Sequence, residues 1–256
     1  MSPSRPAYDV VIVGGAMIGS SIAWWLARDP DFGGTVLVVE RDPTYAQAAS
    51  SLSHSCIRQQ FGSEVNVLIS RFGAEFIHGF RDWMGDPEAP AIRLQSFGYL
   101  YLAADEGFAE VLRDNAAMQR SLGAATQVLS PAEMRARWPF LSVDGLLCGS
   151  HNGVDEGYFD GATVFDWFRR KARSLGVEYV RDEVAGLETS GGRVTGVRLA
   201  SGATVGAGAV VNAAGTRSAQ VARMAGVELP VEPRKRYSVL FEAAEPPGEV
   251  PLVIDP

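Results

Sequence analysis

A glycine turn follows the first apolar segment of the chain. Gly14-Gly15-Ala16-Met17-Ile18-Gly19 lies between the β-branched run at 8–13 and residues at helical spacing. Gly14 would permit a tight turn, and Gly19 would let the helix pack closely on a sheet. The helix N-terminus would then present free N–H groups and a positive dipole end to a diphosphate. Ala16 stands where this pattern usually has glycine. Its methyl group narrows the space through which a diphosphate would approach the backbone.

A carboxylate lies at the spacing that a dinucleotide site requires. Glu40 ends a second apolar run at 35–39 and lies 21 residues after Gly19. A carboxylate there accepts hydrogen bonds from the ribose hydroxyls of adenosine. The chain therefore has the order of one βαβ unit, with a glycine turn after the first strand and an acid at the end of the second. The alternative is an ordinary strand–helix turn followed by a chance glutamate.

The remaining pattern predicts an α/β protein with a largely parallel sheet. Residues 42–62 lack periodicity, and a loop of this length is usually functional or disordered. Residues 177–212 indicate short strands joined by glycine turns, and Tyr237 to Glu242 indicates another strand. A long amphipathic helix is predicted from Ser63, with one apolar stripe formed by Val65, Leu68, Ile69, Phe72, Phe76, Ile77 and Phe80.

Composition excludes several classes of protein. The chain has 256 residues and a formal net charge of −7, which disfavours a surface that neutralises nucleic-acid phosphates. Its two cysteines, Cys56 and Cys148, cannot form a disulfide scaffold, and no Cys/His spacing predicts a metal site. Apolar stretches end well before the ~18 residues of a membrane span, and residues 1–7 are too short and polar for a signal peptide. We therefore expect no nucleic-acid, metal or membrane partner, and a cytoplasmic location.

Four segments share the order of motifs found in a known family. They are Tyr-Asp-Val-Val-Ile-Val-Gly-Gly-Ala at 8–16, Val-Glu-Arg at 39–41, a Ser-rich loop ending in Ile-Arg-Gln-Gln-Phe at 57–61, and Val-Val-Asn-Ala-Ala-Gly at 210–215. Together they resemble the D-amino acid oxidase superfamily of FAD-dependent oxidoreductases, in its glycine oxidase, sarcosine oxidase and dimethylglycine dehydrogenase branch. The resemblance covers about 8 to 242.

This resemblance implies the fold and its division into domains. A Rossmann-like FAD-binding domain would be formed by residues 1–80 and 155–225. An incomplete mixed α+β substrate domain, at 81–154 and 226–256, would be interleaved with it.

The resemblance also implies which residues hold FAD. The glycine turn would bind the diphosphate, Glu40 with Arg41 the adenosine, and the backbone of Val184 the adenine. The serine-rich loop would follow the ribityl chain and the flavin ring, and a small-residue turn at 213–215 would let the chain return beside the cofactor. A plain strand-to-helix turn explains 213–215 equally well. The implied cofactor-binding residues are Gly14, Gly15, Ala16, Met17, Ile18, Gly19, Glu40, Arg41, Ser50, Ser51, Ser53, His54, Ser55, Cys56, Val184, Ala213, Ala214 and Gly215.

Arg58 is the residue that the resemblance assigns to the substrate. Members of the family place an arginine here, and a guanidinium binds a carboxylate through two parallel hydrogen bonds. The alternative is a surface arginine that pairs with an acid such as Glu64. His54 would lie near the flavin as a proton-linked or covalent attachment point, or it is a solvent-facing loop histidine.

The implied activity is oxidation of the C–N bond of an amino acid or N-methylated amine by hydride transfer to flavin. Oxygen or another redox protein would accept the electrons. A flavin-binding assembly or binding factor without turnover is the alternative. An NAD-dependent dehydrogenase would share the glycine turn and Glu40, but it leaves the loop around Arg58 unexplained.

The last apolar run has no partner following it in sequence. Leu252-Val253-Ile254 is strand-like, and a natural domain rarely exposes such an edge. Members of the family continue with further strands, a glycine-rich segment over the flavin ring and a final helix. We therefore expect a truncated chain that holds the nucleotide half of FAD and has negligible turnover.

Overall fold

The computed structural model describes residues 2–245 and 247–255, and these form two compact units. The first unit comprises residues up to 53 together with 161–238. The second comprises 54–160 together with the residues from 239 onward. The FAD-binding and substrate domains predicted from the sequence are defined by what they would bind, and that division stays a prediction.

Twelve strands and eight α-helices are found among the described residues. The strands are β1 (Ala7–Val13), β2 (Val36–Glu40), β3 (Cys56–Ile57), β4 (Tyr99–Ala103), β5 (Gln127–Leu129), β6 (Cys148–Asn152), β7 (Gly157–Tyr158), β8 (Glu178–Arg181), β9 (Val184–Ser190), β10 (Arg193–Leu199), β11 (Thr204–Asn212) and β12 (Leu252–Ile254). The helices are α1 (Met17–Arg28), α2 (Ala49–Leu52), α3 (Glu64–His78), α4 (Phe80–Met84), α5 (Glu106–Ser121), α6 (Pro131–Arg137), α7 (Gly161–Ser174) and α8 (Ser218–Met224). A 3₁₀ turn, Gly215–Arg217, precedes α8.

Four parallel strands form the centre of the first unit. Its sheet has the order β8-β2-β1-β11-β10-β9. The first four of these strands pair in parallel, and β10 pairs antiparallel with both β11 and β9. In the central strand β1, Val11 lies opposite Leu37 on one side and Val210 on the other. Val11 and Leu37 are completely buried. The β-branched runs of β1 and β2 therefore form a sheet covered on both faces, as such runs predict.

Helix α1 is anchored by its packing against α7. The rings of Trp24 and Phe168 lie 5.3 Å apart between centroids, and Ala23 beside them is completely buried. The helix ends at Arg28, before the proline that prevents its continuation. The Arg28 guanidinium lies 4.6 Å from the Trp24 ring centroid. This packing holds the glycine turn at the other end of α1.

Strand β11 is longer than the sequence indicates and joins both parts of the first sheet. Its first residues pair antiparallel with β10, with Gly196 opposite Gly206. Most of its length pairs in parallel with β1, and Val13 lies opposite Asn212 at the end. The chain therefore leaves β11 directly beside the glycine turn.

The second unit is built on a four-stranded sheet of order β12-β4-β6-β5. Leu100 and Leu102 of β4 are buried with Met134 of α6. Strand β12 pairs in parallel with β4, and Leu252 lies opposite Tyr99. The terminal apolar run therefore does have a partner, which precedes it in sequence.

Two other expectations need correction. The predicted strand at Tyr237–Glu242 is irregular, with Leu240 97 % and Phe241 85 % exposed. β-propensity reflects packing against neighbouring strands, and no strand of the described residues pairs with this segment. The loop at 42–62 also contains two short regular elements, α2 and β3.

The apolar stripe predicted for α3 is buried only at its C-terminal end. Phe76, Ile77 and Phe80 are buried, and the rings of Phe76 and Phe80 lie 5.8 Å apart. Four stripe residues near the N-terminus are exposed, namely Val65, Leu68, Ile69 and Phe72. Periodicity identifies an apolar face, but the neighbouring elements decide how much of that face is covered.

Two substitutions on α3 compare the buried end of this stripe with its exposed part. Ile77→Ala should lower the free energy of unfolding by about 2–5 kcal/mol, since it removes buried methyl groups and leaves a cavity. Leu68→Ala, the matched change at a half-exposed site, should alter it by no more than about 0.5 kcal/mol. Urea unfolding followed by circular dichroism measures both, and equal losses would contradict the observed burial.

Candidate functional site: a cleft at the strand ends

A cleft of about 220 Å³ opens at the carboxyl ends of the parallel strands in the first unit. It is lined by the ends of β1 and β2, the start of β9 and the segment that follows β11. Ligands of open α/β sheets bind at this edge, where loops from several strands converge. The lining residues include Gly14, Ala16, Glu40, Ser50, Val184 and Ala214.

The glycine turn is held so tightly that two of its positions exclude a side chain. Gly14 has a φ of +96°, and a Cβ there would lie 2.6 Å from the carbonyl oxygen of Ala213. A Cβ on Gly19 would collide with the carbonyl oxygen of Gly14. Backbone bonds from Gly14 to Val39 and from Ala213 to Val13, both 2.9 Å, fix this approach. Gly14, Ala16 and Ile18 of this segment line the cleft.

Glu40 holds the same turn from the neighbouring strand. Its Oε2 accepts a 2.8 Å hydrogen bond from the backbone N–H of Gly15. Its Oε1 accepts another, also 2.8 Å, from the N–H of Asp42. The carboxylate thus ties the glycine turn to the end of β2. Its role toward a ribose stays a prediction.

The N-terminus of α1 lacks a capping side chain, although one of its N–H groups has a side-chain partner. Ala16 occupies the N-cap and makes no side-chain cap, and the first turn has no acidic residue. The Met17 N–H donates to the Ser50 hydroxyl over 3.3 Å. Unpaired N–H groups and the helix dipole at this end favour an anion. These features fit the diphosphate of a dinucleotide such as FAD.

Tyr45 is a residue of the cleft that the sequence did not single out. It is buried at a φ of +56°, and its ring packs edge-on against Phe165 at 4.8 Å between centroids. Its hydroxyl lies 3.2 Å from where a Cβ on Gly15 would stand. Burial, and secondly the negative charge of Glu40, raises the pKa of Tyr45. It therefore stays a neutral phenol against the glycine turn.

A second unforeseen contact supports the turn through its carbonyl group. The hydroxyl of the buried Ser20 donates a 2.6 Å hydrogen bond to the carbonyl oxygen of Gly15. The Tyr179 hydroxyl in turn donates to Ser20 Oγ over 3.1 Å. Burial raises the pKa of Tyr179 to about 12, so it remains a donor at neutral pH. A serine in the first turn of a helix carries no signal of such a long-range partner.

The structure brings most of the predicted cofactor residues together. The glycine turn, Glu40, Arg41, Ser50, Val184 and 213–215 all belong to the cleft or its supporting turn. Ser51 and Ser53 belong to the same unit and are exposed. Their roles as cofactor ligands stay predictions.

The other predicted residues belong to the second unit, where His54 and Cys56 are exposed. Ser55, with a φ of +50°, precedes the short strand β3. Strand β3 pairs antiparallel with β7, so that Cys56 lies opposite Tyr158. These positions leave the predicted cofactor roles of His54, Ser55 and Cys56 untested.

Arg58, also in the second unit, lies among aromatic rings. Its guanidinium is 4.6 Å from the ring centroid of Phe61 and 5.9 Å from that of Tyr99. Its Nε is buried and has no hydrogen-bond partner in the described part of the chain. Among the ion pairs of that part, none joins Arg58 to Glu64. The guanidinium therefore has no anionic partner among the described residues.

The model of one protein family, described as FAD dependent oxidoreductase, matches residues 9–256. The chain belongs to this D-amino acid oxidase family of FAD-dependent oxidoreductases. FAD is thus the cofactor of its family, which confirms the resemblance and the cofactor prediction.

Curated relatives match nearly the whole chain. It is 39 % identical to FAD-dependent oxidoreductase domain-containing protein 1 of Bos taurus over 282 residues, covering 97 % of this chain and 58 % of that protein. It is 27 % identical to sarcosine oxidase subunit beta of Rhizobium meliloti, covering 94 % of this chain and 58 % of that protein. The chain therefore spans 58 % of the length of these two relatives.

Solved structures confirm the predicted fold class. L-proline dehydrogenase from P. horikoshii superimposes with a TM-score of 0.75 at 24 % identity, covering 98 % of this chain and 65 % of that one. Glycine oxidase from Geobacillus kaustophilus gives 0.70 at 24 % identity, covering 90 % of this chain and 61 % of that one. At this level of identity the likeness concerns the fold alone.

The described residues contain neither a candidate membrane span nor a cluster of metal-binding side chains. No helix there has the length and apolar character needed to traverse a bilayer. No group of three or more His, Cys, Asp and Glu side chains in those residues could hold a metal ion.

Replacement of Gly14 tests the tightness of the turn. Gly14→Ala should raise the Kd for FAD at least about tenfold, because its Cβ displaces the backbone that meets the diphosphate. Gly33→Ala is the matched control, since Gly33 also has a positive φ but a Cβ there meets nothing within 4 Å. Fluorescence titration with FAD measures both variants, and equal affinities would contradict the assigned turn.

Replacement of Glu40 tests its carboxylate. Glu40→Gln turns an amide N–H₂ toward a backbone donor, so FAD binding should weaken by on the order of 1.5–3 kcal/mol. The protein should still fold, because Glu40 ends its strand and is partly exposed. Unchanged FAD affinity in titration calorimetry would show that the carboxylate does not serve the cofactor.

Proposed function

We propose that the protein oxidises the C–N bond of an amino acid or N-methylated amine. The observation that carries this proposal is the Arg58 guanidinium, which has a buried, unpartnered Nε and lies beside two aromatic rings. A guanidinium of this kind suits a substrate carboxylate, which it would bind through two parallel hydrogen bonds. The rings of Phe61 and Tyr99 would limit water around that bond and so strengthen it.

The cleft of the first unit is proposed to hold FAD. The backbone of the glycine turn and the N-terminus of α1 would bind the diphosphate, and Glu40 the ribose. Val184 and Ala214 lie in the cleft wall that would receive the adenine. The bound flavin would supply the hydride acceptor, which no side chain can provide.

The protein's own residues would then mainly orient the substrate and would not need to act as acid or base. Arg58 would fix the carboxylate and so direct the neighbouring C–H bond of the substrate. An amine that enters in its neutral form needs no protein base, and water hydrolyses the imine product. Oxygen or a redox protein would accept the electrons. The name of one relative, sarcosine oxidase subunit beta, agrees with a substrate of this class.

Anaerobic reduction tests the activity. The natural gene product at its full length, loaded with FAD, should lose its yellow colour when sarcosine, proline or glycine is added without oxygen. Reoxidation by air would then separate an oxidase from a dehydrogenase. If no amine or amino acid bleaches the bound flavin, the protein is a flavin-binding factor and the proposal is wrong.

A substitution of Arg58 tests the carboxylate contact. Arg58→Lys keeps the charge but loses the planar fork, so KM for proline and sarcosine should rise about tenfold or more. KM for pyrrolidine and dimethylamine, which lack the carboxylate, should hardly change. Arg93→Lys, at an exposed site in the same unit, serves as control. An equal loss for both kinds of amine would mean that Arg58 supports the loop instead.

A further inference from the structure

Glu156 is a completely buried carboxylate surrounded by N–H donors. Its Oε1 accepts hydrogen bonds from the backbone N–H of Gln59 at 2.6 Å, the N–H of Gln60 at 3.0 Å and the Asn152 side-chain amide at 3.2 Å. Its Oε2 accepts from the Gln60 side-chain amide at 3.0 Å. Four donors converge on one side chain.

These donors indicate that the buried group is a carboxylate anion. All four partners present N–H groups, which a protonated oxygen would not satisfy. No Lys, Arg or His in the described part of the chain forms an ion pair with Glu156. Burial raises the pKa of Glu156 above its usual value, and the bonds from Gln60, Gln59 and Asn152 offset only part of that rise. A buried charge without a counterion is costly, so its retention calls for a role.

The carboxylate fixes the chain immediately after Arg58. Gln59 and Gln60 are the next two residues, and both backbone N–H groups donate to Glu156. The chain before Arg58 is fixed by the same neighbour, since β3 pairs with β7, which begins directly after Glu156. Arg58 is therefore held on both sides by the segment that contains Glu156.

The same network reaches the aromatic ring beside the guanidinium. The Gln60 amide also donates to the carbonyl oxygen of Tyr99 over 3.0 Å. The Ser150 hydroxyl donates to the other end of that amide, Gln60 Oε1, over 2.8 Å. Because Tyr99 lies beside the Arg58 guanidinium, the network holds both the arginine backbone and one of its rings.

We propose that Glu156 is a positioning residue for Arg58. It fixes the backbone at Gln59 and Gln60 and thereby the direction in which the guanidinium meets a substrate carboxylate. This inference rests on the proposed function of Arg58. Sequence analysis gave no sign of it, because Glu156 lies 97 positions from Gln59.

The experiment compares substrates with and without a carboxylate in the FAD-loaded, full-length protein. Glu156→Gln keeps the volume but replaces one acceptor oxygen by an N–H₂ donor. In either orientation of the amide, this donor faces an N–H group of Gln59 or Gln60. We expect a KM for proline at least about fivefold higher, an equal rise in the inhibition constant of propionate, and an unchanged KM for pyrrolidine. The kcat with pyrrolidine and the Kd for FAD should also stay unchanged. Glu156→Asp, which restores the charge, should recover part of the proline affinity.

Each result separates this inference from the proposed function. A selective effect in Arg58→Lys with none in Glu156→Gln would overturn the positioning role and leave the proposed function intact. Equal losses for proline and pyrrolidine in Glu156→Gln would mean a merely structural role and would also overturn it. A lack of selectivity in both variants would refute the carboxylate site itself.

A milder variant covers the case in which Glu156→Gln does not fold. Ser150→Ala removes only the hydroxyl that donates to Gln60, and it should raise KM for proline two- to threefold without affecting pyrrolidine. If Ser150→Ala changes neither value while Glu156→Gln fails to fold, the inference is rejected.

Discussion

The close approach of two backbone segments is the constraint on which the first unit depends. Gly14 and Ala213 meet at the ends of β1 and β11 with no room for a Cβ between them. Gly19 brings α1 equally close to the same turn. The Glu40 carboxylate then fixes the Gly15 N–H from the neighbouring strand. The cleft opens at this turn, and the N–H groups of Gly14 and Gly15 are held there by Val39 and Glu40.

The sequence predicts this turn well because its determinants are local. A β-branched run, a glycine turn, a helical pattern and a strand-ending acid lie within residues 8–40, and each has one favoured local structure. The helix stop at Asp29 and the short strands after 177 are equally local. These local patterns indicate a dinucleotide but do not say which one. The family resemblance identified it as FAD.

Contacts between distant residues could not be predicted from one sequence. Tyr179 and Ser20 are 159 positions apart, yet they jointly hold the carbonyl group of Gly15. The parallel pairing of β12 with β4 is equally remote. Apolar periodicity also fails to show which part of a face is covered, as the exposed side chain of Leu68 demonstrates. Such features depend on the packing of whole elements, which no local pattern encodes.

Hydrogen exchange at the glycine turn tests the central claim most directly. Amide exchange of the protein is followed by mass spectrometry with and without FAD, at peptide or single-residue resolution. If the turn holds the diphosphate, FAD should slow exchange at least tenfold at the amides of residues 15–20, through direct hydrogen bonds and loss of local opening. Unchanged exchange there, with protection confined to other segments, would contradict the account.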